Sequence, residues 1–252
     1  MRNITPPASS PHIAIHSNRI ALVLGCIALG LAAAGLADKL IFRTGELADL
    51  WRIQALFDLD GENNLPSFFS TLILLVSSLF LFLIADLNRH KPRGGYGYWL
   101  ALAIWFLYMA YDEAFSVHEL LNGPIRQILH MQIFGFFYFA WVVPGIIFIA
   151  IFILVYFRFW KDLPVRTRRE ILLAAILYIL GAVGFDMLGG RYVEFHVSTN
   201  LTYILLSTIE ESLEMAGIIV FIWGLLHHLE DQFPQVSLRF LDLAQKAGRK
   251  DS

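Results

Sequence analysis

Six apolar stretches, each about as long as a bilayer-crossing helix, alternate along the chain with short polar segments. They cover residues 20–37, 68–85, 98–119, 133–156, 171–188 and 201–226. At a rise of 1.5 Å per residue, ~20 residues of helix cross a hydrocarbon core. The connecting segments are short, and none is long enough for a separate soluble domain. The pattern predicts an all-α fold, a polytopic membrane helical bundle of six transmembrane helices. Pro144 lies inside the fourth stretch and is expected to bend that helix, a break that lipid-embedded helices tolerate when neighbours re-satisfy the backbone.

The ends are polar. Residues 1–18 carry three prolines and no hydrophobic period, which predicts a disordered tail before a transmembrane domain at residues 19–230. The first apolar stretch is longer than the ~7–15 residues of a signal-peptide core, so an uncleaved span is expected. After Pro234 the sequence VSLRFLDLAQKAGRK mixes apolar and basic residues. Residues 231–252 therefore read either as an interfacial amphipathic helix on the inner membrane face or as a solvated tail.

Positive charge orients the bundle. With the N-terminus inside, fourteen of the lysines and arginines fall in inner segments and five (Lys39, Arg43, Arg52, Arg126 and Arg191) in outer ones. Both termini are thus expected in the cytoplasm. Composition agrees with a membrane chain: 57% of residues are hydrophobic and 16% are charged, against about 25% charged in soluble domains. The net charge of −2 offers nothing to nucleic acid, and the single cysteine, Cys26, excludes an intrachain disulfide or a thiolate metal cluster.

Against this apolar background two segments stand out. YDEAFSVHE at residues 111–119 and TIEESLEMAG at residues 208–217 place carboxylates inside apolar stretches. Each such charge costs at least ~2.5–3.5 kcal/mol on insertion scales and is kept mainly for pairing or function. Counted from the inner ends of their spans, Asp112, Asp186 and Glu211 all lie ~22–24 Å up, with Glu210 and Glu214 one turn or less away. Three spans thus hold acids at one height, in the outer third of the hydrocarbon layer. On an ideal helix Asp112, Ser116 and Glu119 share a face, and so do Tyr203, Ser207, Glu210, Glu211 and Glu214. Glu113 and His118 diverge to either side of Asp112 unless the helix deforms.

Such a layer needs bound metal, shared protons or basic partners, and Arg126 and Arg191 lie on the matching side. As metal ligands, Asp112, His118, Asp186, Glu211 and Glu214 form a mixed carboxylate and imidazole set suited to zinc, manganese or iron, or to calcium if only oxygens bind. Glu119 and Glu113 are then the candidate general bases. Known metalloenzyme patterns do not match: HELLN at residues 118–122 has Asn122 where the second histidine of a helical zinc site belongs, and the Glu-x-x-His pairs of a di-iron bundle are missing. Ser116 and Ser207 neighbour acids, but no G-x-S-x-G elbow exists. FDLDGENNLP at residues 57–66 resembles the start of a calcium loop without its closing glutamate, and is expected to be an Asx turn capping the second span. His227 and His228 are expected among the lipid headgroups at the inner end of the last span. Asn200 begins a glycosylation triplet to which no function is assigned.

DEAFSVHE and EESLEMAG, preceded by FDLDGENNLP, resemble the pattern of uncharacterised bacterial multi-pass membrane proteins. The resemblance implies six helices and a bacterial inner membrane location, and no activity. Three functional readings follow from the residues. The first is an intramembrane metal-dependent hydrolase acting on a lipid or other amphiphile. The second is a proton- or cation-coupled transporter, weighed down by the apolar inner halves of the spans. The third is a non-catalytic binding or assembly protein whose acids pair with Arg126 and Arg191.

Overall fold

A computed structural model describes residues 16–42, 55–61, 63–92, 94–128 and 135–234. These residues are helical and contain no strand. The elements are α1 (Ser17–Phe42), α2 (Leu65–Asn88), α3 (Tyr96–Phe115), α4 (Val117–Leu120), α5 (Asn122–Ile128), α6 (Val142–Asp162), α7 (Val165–Ile179), α8 (Asp186–Val193) and α9 (Leu201–Gln232). A π-helical segment, Leu180–Phe185, joins α7 to α8 without interrupting the rod. The expected tail at residues 1–15 and the amphipathic stretch beyond residue 234 lie outside the described residues.

Among the described residues, four helices are long and apolar enough to cross a membrane: Ser17–Ile41, Leu65–Asn88, Val142–Asp162 and Val165–Val193. The pair Tyr96–Phe115 and Val117–Ile128, bent by 73°, makes a fifth if it counts as one span. The longest helix, α9, carries Glu210, Glu211 and Glu214 in its apolar stretch, and these acids set it apart from the others in composition. It is nevertheless the axis of the bundle, packed against α1, α2, α7 and α8. Its buried face (Met215, Ile218, Ile219 and Ile222) joins Phe69, Ile73 and Leu74 of α2 in one core, and Phe221 and Leu225 join Leu81, Ile84 and Trp99 in a second. The outward surface is apolar as well: Leu29 is 71% exposed and Leu154 79%. Long helices with apolar exteriors suit hydrocarbon as the surrounding medium.

The fourth helix starts at Val142, later than the apolar run beginning at 133 implies, and the residues before it form a short 3-10 turn at Gly135–Phe137. Pro144 consequently falls in the first turn of α6, where its missing N–H has no partner to lose, and it does not bend the helix. The FDLDGENNLP loop is an Asx cap as expected. The Asn64 side chain accepts from Ser67 N–H at 2.9 Å and donates to the carbonyls of Asp58 and Gly61, while the Asn64 N–H donates to Ser67 Oγ. Asn200 caps α9 in the same manner through Thr202 N–H at 3.0 Å.

At the opposite end of the bundle from the acids, α1, α7 and α9 are tied together by polar groups. The Ser17 N–H and hydroxyl both donate to the Glu230 carboxylate, and Trp223 Nε1 donates to Asn18. His227 and His228 are buried, 2% and 5% exposed, which corrects the expectation that they lie among headgroups. Their ring nitrogens meet Glu170 at 2.8 Å and Thr167 at 3.1 Å, because α7 begins beside the last turns of α9.

Candidate acidic centre

At Ser116 the chain leaves helix α3 with φ 49° and ψ 42°, the left-handed region, and α4 departs at an angle. The turn brings His118 back over the end of α3. Asp112 Oδ1 accepts the His118 backbone N–H at 2.8 Å, and Asp112 Oδ2 meets His118 Nδ1 at 3.0 Å. A carboxylate on Nδ1 favours the tautomer with its proton there and leaves Nε2 as the nitrogen available for further chemistry. The ring packs edge-on against Trp141, whose backbone N–H donates to Asn122 in α5. The expected common face of Asp112, Ser116 and Glu119 is lost at this break, and Glu119 is exposed beyond it.

Asp186 opens α8 immediately after the π-helical segment. It is 8% exposed, and its Oδ2 has no hydrogen-bond partner. Its electrostatic neighbours are His118, Glu119 and Asp60. On α9, the electrostatic neighbours of Glu210 are Asp186, Glu211 and Asp60, and those of Glu214 are Glu113, Glu210 and Asp186. Tyr178 of α7 stands among Glu214, Glu113, Asp112 and Glu211. Close helix contact enforces this gathering: a Cβ on Gly181 would lie 2.8 Å from the Glu210 carbonyl oxygen and 2.9 Å from Glu214 Cγ. The acids of α3, α8 and α9 thus lie within electrostatic reach of one another.

The basic partner differs from the expected one. Arg191 pairs with Glu194 at 3.0 Å, and Arg126 donates to the Tyr138 carbonyl at 2.6 Å. Lys39, near the end of α1, supplies positive charge instead, 2.7 Å from Asp58 and 3.8 Å from Asp60. Tyr203 of α9 donates to Asp60 at 3.2 Å, so the described part of the loop before α2 is tied to α9 beside the centre. An ammonium group therefore occupies the place considered for calcium. Packing around Asp60 pushes its carboxyl above the ordinary value, and Lys39 opposes that rise. Asp38, beside Lys39, has a second buried carboxylate oxygen without a partner.

Sequence reasoning missed Lys39 and Tyr178 and left Asp60 and Glu210 outside the ligand set. Lys39 and Asp60 sit in segments remote from both motifs, and only their position at the same helix ends connects them. Among the described residues, no three His, Cys, Asp or Glu side chains converge as a metal site, and Asp112 and His118 are turned toward each other. An open groove of ≈ 410 Å³ lies between α8 and α9, lined by Leu188, Arg191, Tyr192, Phe195, His196 and Leu206. It contains none of the clustered acids.

These features define an all-helical protein of long apolar helices that encloses an acidic centre with an oriented histidine at one end. The chain belongs to the family described as Domain of unknown function (DUF8692), which matches residues 20–229. No curated protein and no solved structure matches it.

Proposed function

We propose that this chain is a six-span protein of the bacterial inner membrane, with both termini cytoplasmic and α9 as its central span, and that it carries out proton- or cation-coupled transport through the acidic centre. The observation that carries this reading is the buried Asp186 carboxylate, whose Oδ2 is unpartnered and whose electrostatic neighbours include His118. A buried carboxylate oxygen left unsatisfied costs ~1–3 kcal/mol or more, and a passing proton or cation is the partner that relieves it. The surrounding Asp60, Glu113, Glu210, Glu211 and Glu214 supply the carboxyl groups that take up a proton or a cation. Glu170, His227 and His228 are buried at the far ends of α7 and α9, with the apolar Met215, Ile218, Ile219 and Ile222 between them and the acidic centre.

The test is flux in proteoliposomes under imposed proton, sodium, potassium and organic-cation gradients. Wild-type protein conducts at least one of these, and Asp186→Asn loses the flux while melting at or above the wild-type temperature. Wild-type flux no greater than that of empty liposomes overturns the reading.

A second reading, metal-dependent hydrolysis of a lipid or other amphiphile, is favoured by the Asp112–His118 geometry, since a carboxylate-held imidazole serves as a metal ligand or base through Nε2. Asp112, His118, Asp186, Glu211 and Glu214 would hold zinc, manganese, iron or calcium after a rearrangement that separates Asp112 from His118, with Glu119 or Glu113 as base. Protein purified with stoichiometric metal, and a melting temperature raised by adding that metal, supports it. Metal-free protein indifferent to all four ions removes it.

A further inference from the structure

We propose that Glu170 and His227 form a second proton-binding site, at the end of the bundle opposite the acidic centre. Glu170 Oε1 accepts Arg166 Nε at 3.2 Å and meets His227 Nδ1 at 2.8 Å. Its Oε2 is buried and has no partner, in a residue 8% exposed. A carboxylate whose role is to staple α7 to α9 has both oxygens satisfied, because each unpaired buried oxygen costs stability. Here one oxygen is doubly engaged and the other is held bare against α9 near Gly224, where an added Cβ would lie 3.6 Å from it. That is the condition of a group that has room for a proton.

The step involves the proton alone. Carboxylate and neutral imidazole together carry one negative charge, and one proton from the solution at that end brings the pair to zero. It resides on His227 Nε2 as imidazolium or on the bare Glu170 Oε2 as the carboxylic acid, and its departure restores the starting state. The charged and titratable groups around the pair are Arg166 on α7, His228, Glu230 and Asp231 on α9, and Lys91 in the turn between α2 and α3. On α1, the groups at this end are the neutral Ser17 and Asn18 and the exposed Arg19. Arg166 reaches from Glu170 to Asp231 at 3.4 Å, with both of those side chains partly exposed, so the pair lies one residue below the surface. Toward the acidic centre the buried Met215, Ile218, Ile219 and Ile222 separate the two sites.

The structure supplies the reporter. The Trp223 ring lies 4.6 Å from the His227 ring, and an imidazolium quenches indole emission more strongly than a neutral imidazole does. The chain has six tryptophans, so the Trp223 signal is the difference between wild-type protein and Trp223→Phe, both in lipid nanodiscs. This signal falls reversibly on acidification between about pH 8 and pH 5. Glu170→Gln moves the transition to lower pH by about one unit or more, because the imidazolium loses its anionic partner. His227→Gln abolishes it, and Asp112→Asn at the other end leaves it in place. A flat signal, a transition unmoved by Glu170→Gln, or one that follows Thr167→Val and hence His228 overturns the proposal. A purely structural latch lowers the melting temperature of Glu170→Gln and produces no Trp223 titration. If His227→Gln does not fold, wild type and Glu170→Gln alone decide.

Discussion

Ser116 holds the acidic centre in shape with its backbone. A left-handed φ costs a non-glycine residue about 1–2 kcal/mol, and Asp112 offsets that cost by capturing the His118 N–H freed by the break. Ser116→Gly therefore melts at or above the wild-type temperature, whereas Ser116→Val is destabilised by roughly 1–3 kcal/mol because branching at Cβ opposes this conformation. Thermal unfolding in one detergent compares the three proteins, and equal melting of the glycine and valine variants refutes the account. Asp112 and His118 were both legible as candidate site residues, but their contact was not. Six residues apart, they point in different directions on a continuous helix, and serine carries no signal for a left-handed turn of the kind that glycine or asparagine gives.

At the level of elements, the approach of α9 to α7 and the π-helical segment brings the acids together. A Cβ at Gly217 would lie 2.7 Å from the Tyr178 backbone nitrogen, whereas Gly25 on α1 has nothing within 4 Å. Gly217→Ala pushes the helices apart and costs about 1–3 kcal/mol, while Gly25→Ala is neutral or slightly stabilising. Parallel melting curves read the difference, and a Gly217→Ala protein as stable as Gly25→Ala contradicts the packing described. α8 runs through the Gly189–Gly190 pair, and the irregular turn falls earlier, at Leu180–Phe185. Gly181 lies within that turn, and it marks a close helix approach and not a chain ending. A wide π turn re-aims every residue after it, so the direction of Asp186 depends on a backbone irregularity that a regular period cannot register.

Across the whole molecule, the Lys39–Asp58–Asp60–Tyr203 chain ties α1, the loop before α2 and α9 over the acidic centre. Asp60 has its folded pKa raised above the ordinary 3.8, so its contribution to stability is complete below that value and is lost as pH rises through the folded one. Asp60→Asn is accordingly expected to melt at or above the wild-type temperature at neutral pH, with a flatter dependence of melting temperature on pH in the acidic range. A dependence as steep as that of the wild type shows that other groups carry it. What the sequence by itself determined was axial: that the chain is built of long apolar helices, and where along three of them the acids fall. Rise per residue is a local property, and apolar length is counted along the chain. Tertiary structure alone decided the lateral pairing, in which His118 turns onto Asp112, Lys39 replaces Arg126 and Arg191 as the nearby base, and His227 is buried against Glu170. Azimuth is set by the break at Ser116, by the π turn and by glycine contacts between helices, and these depend on atoms far apart in the chain.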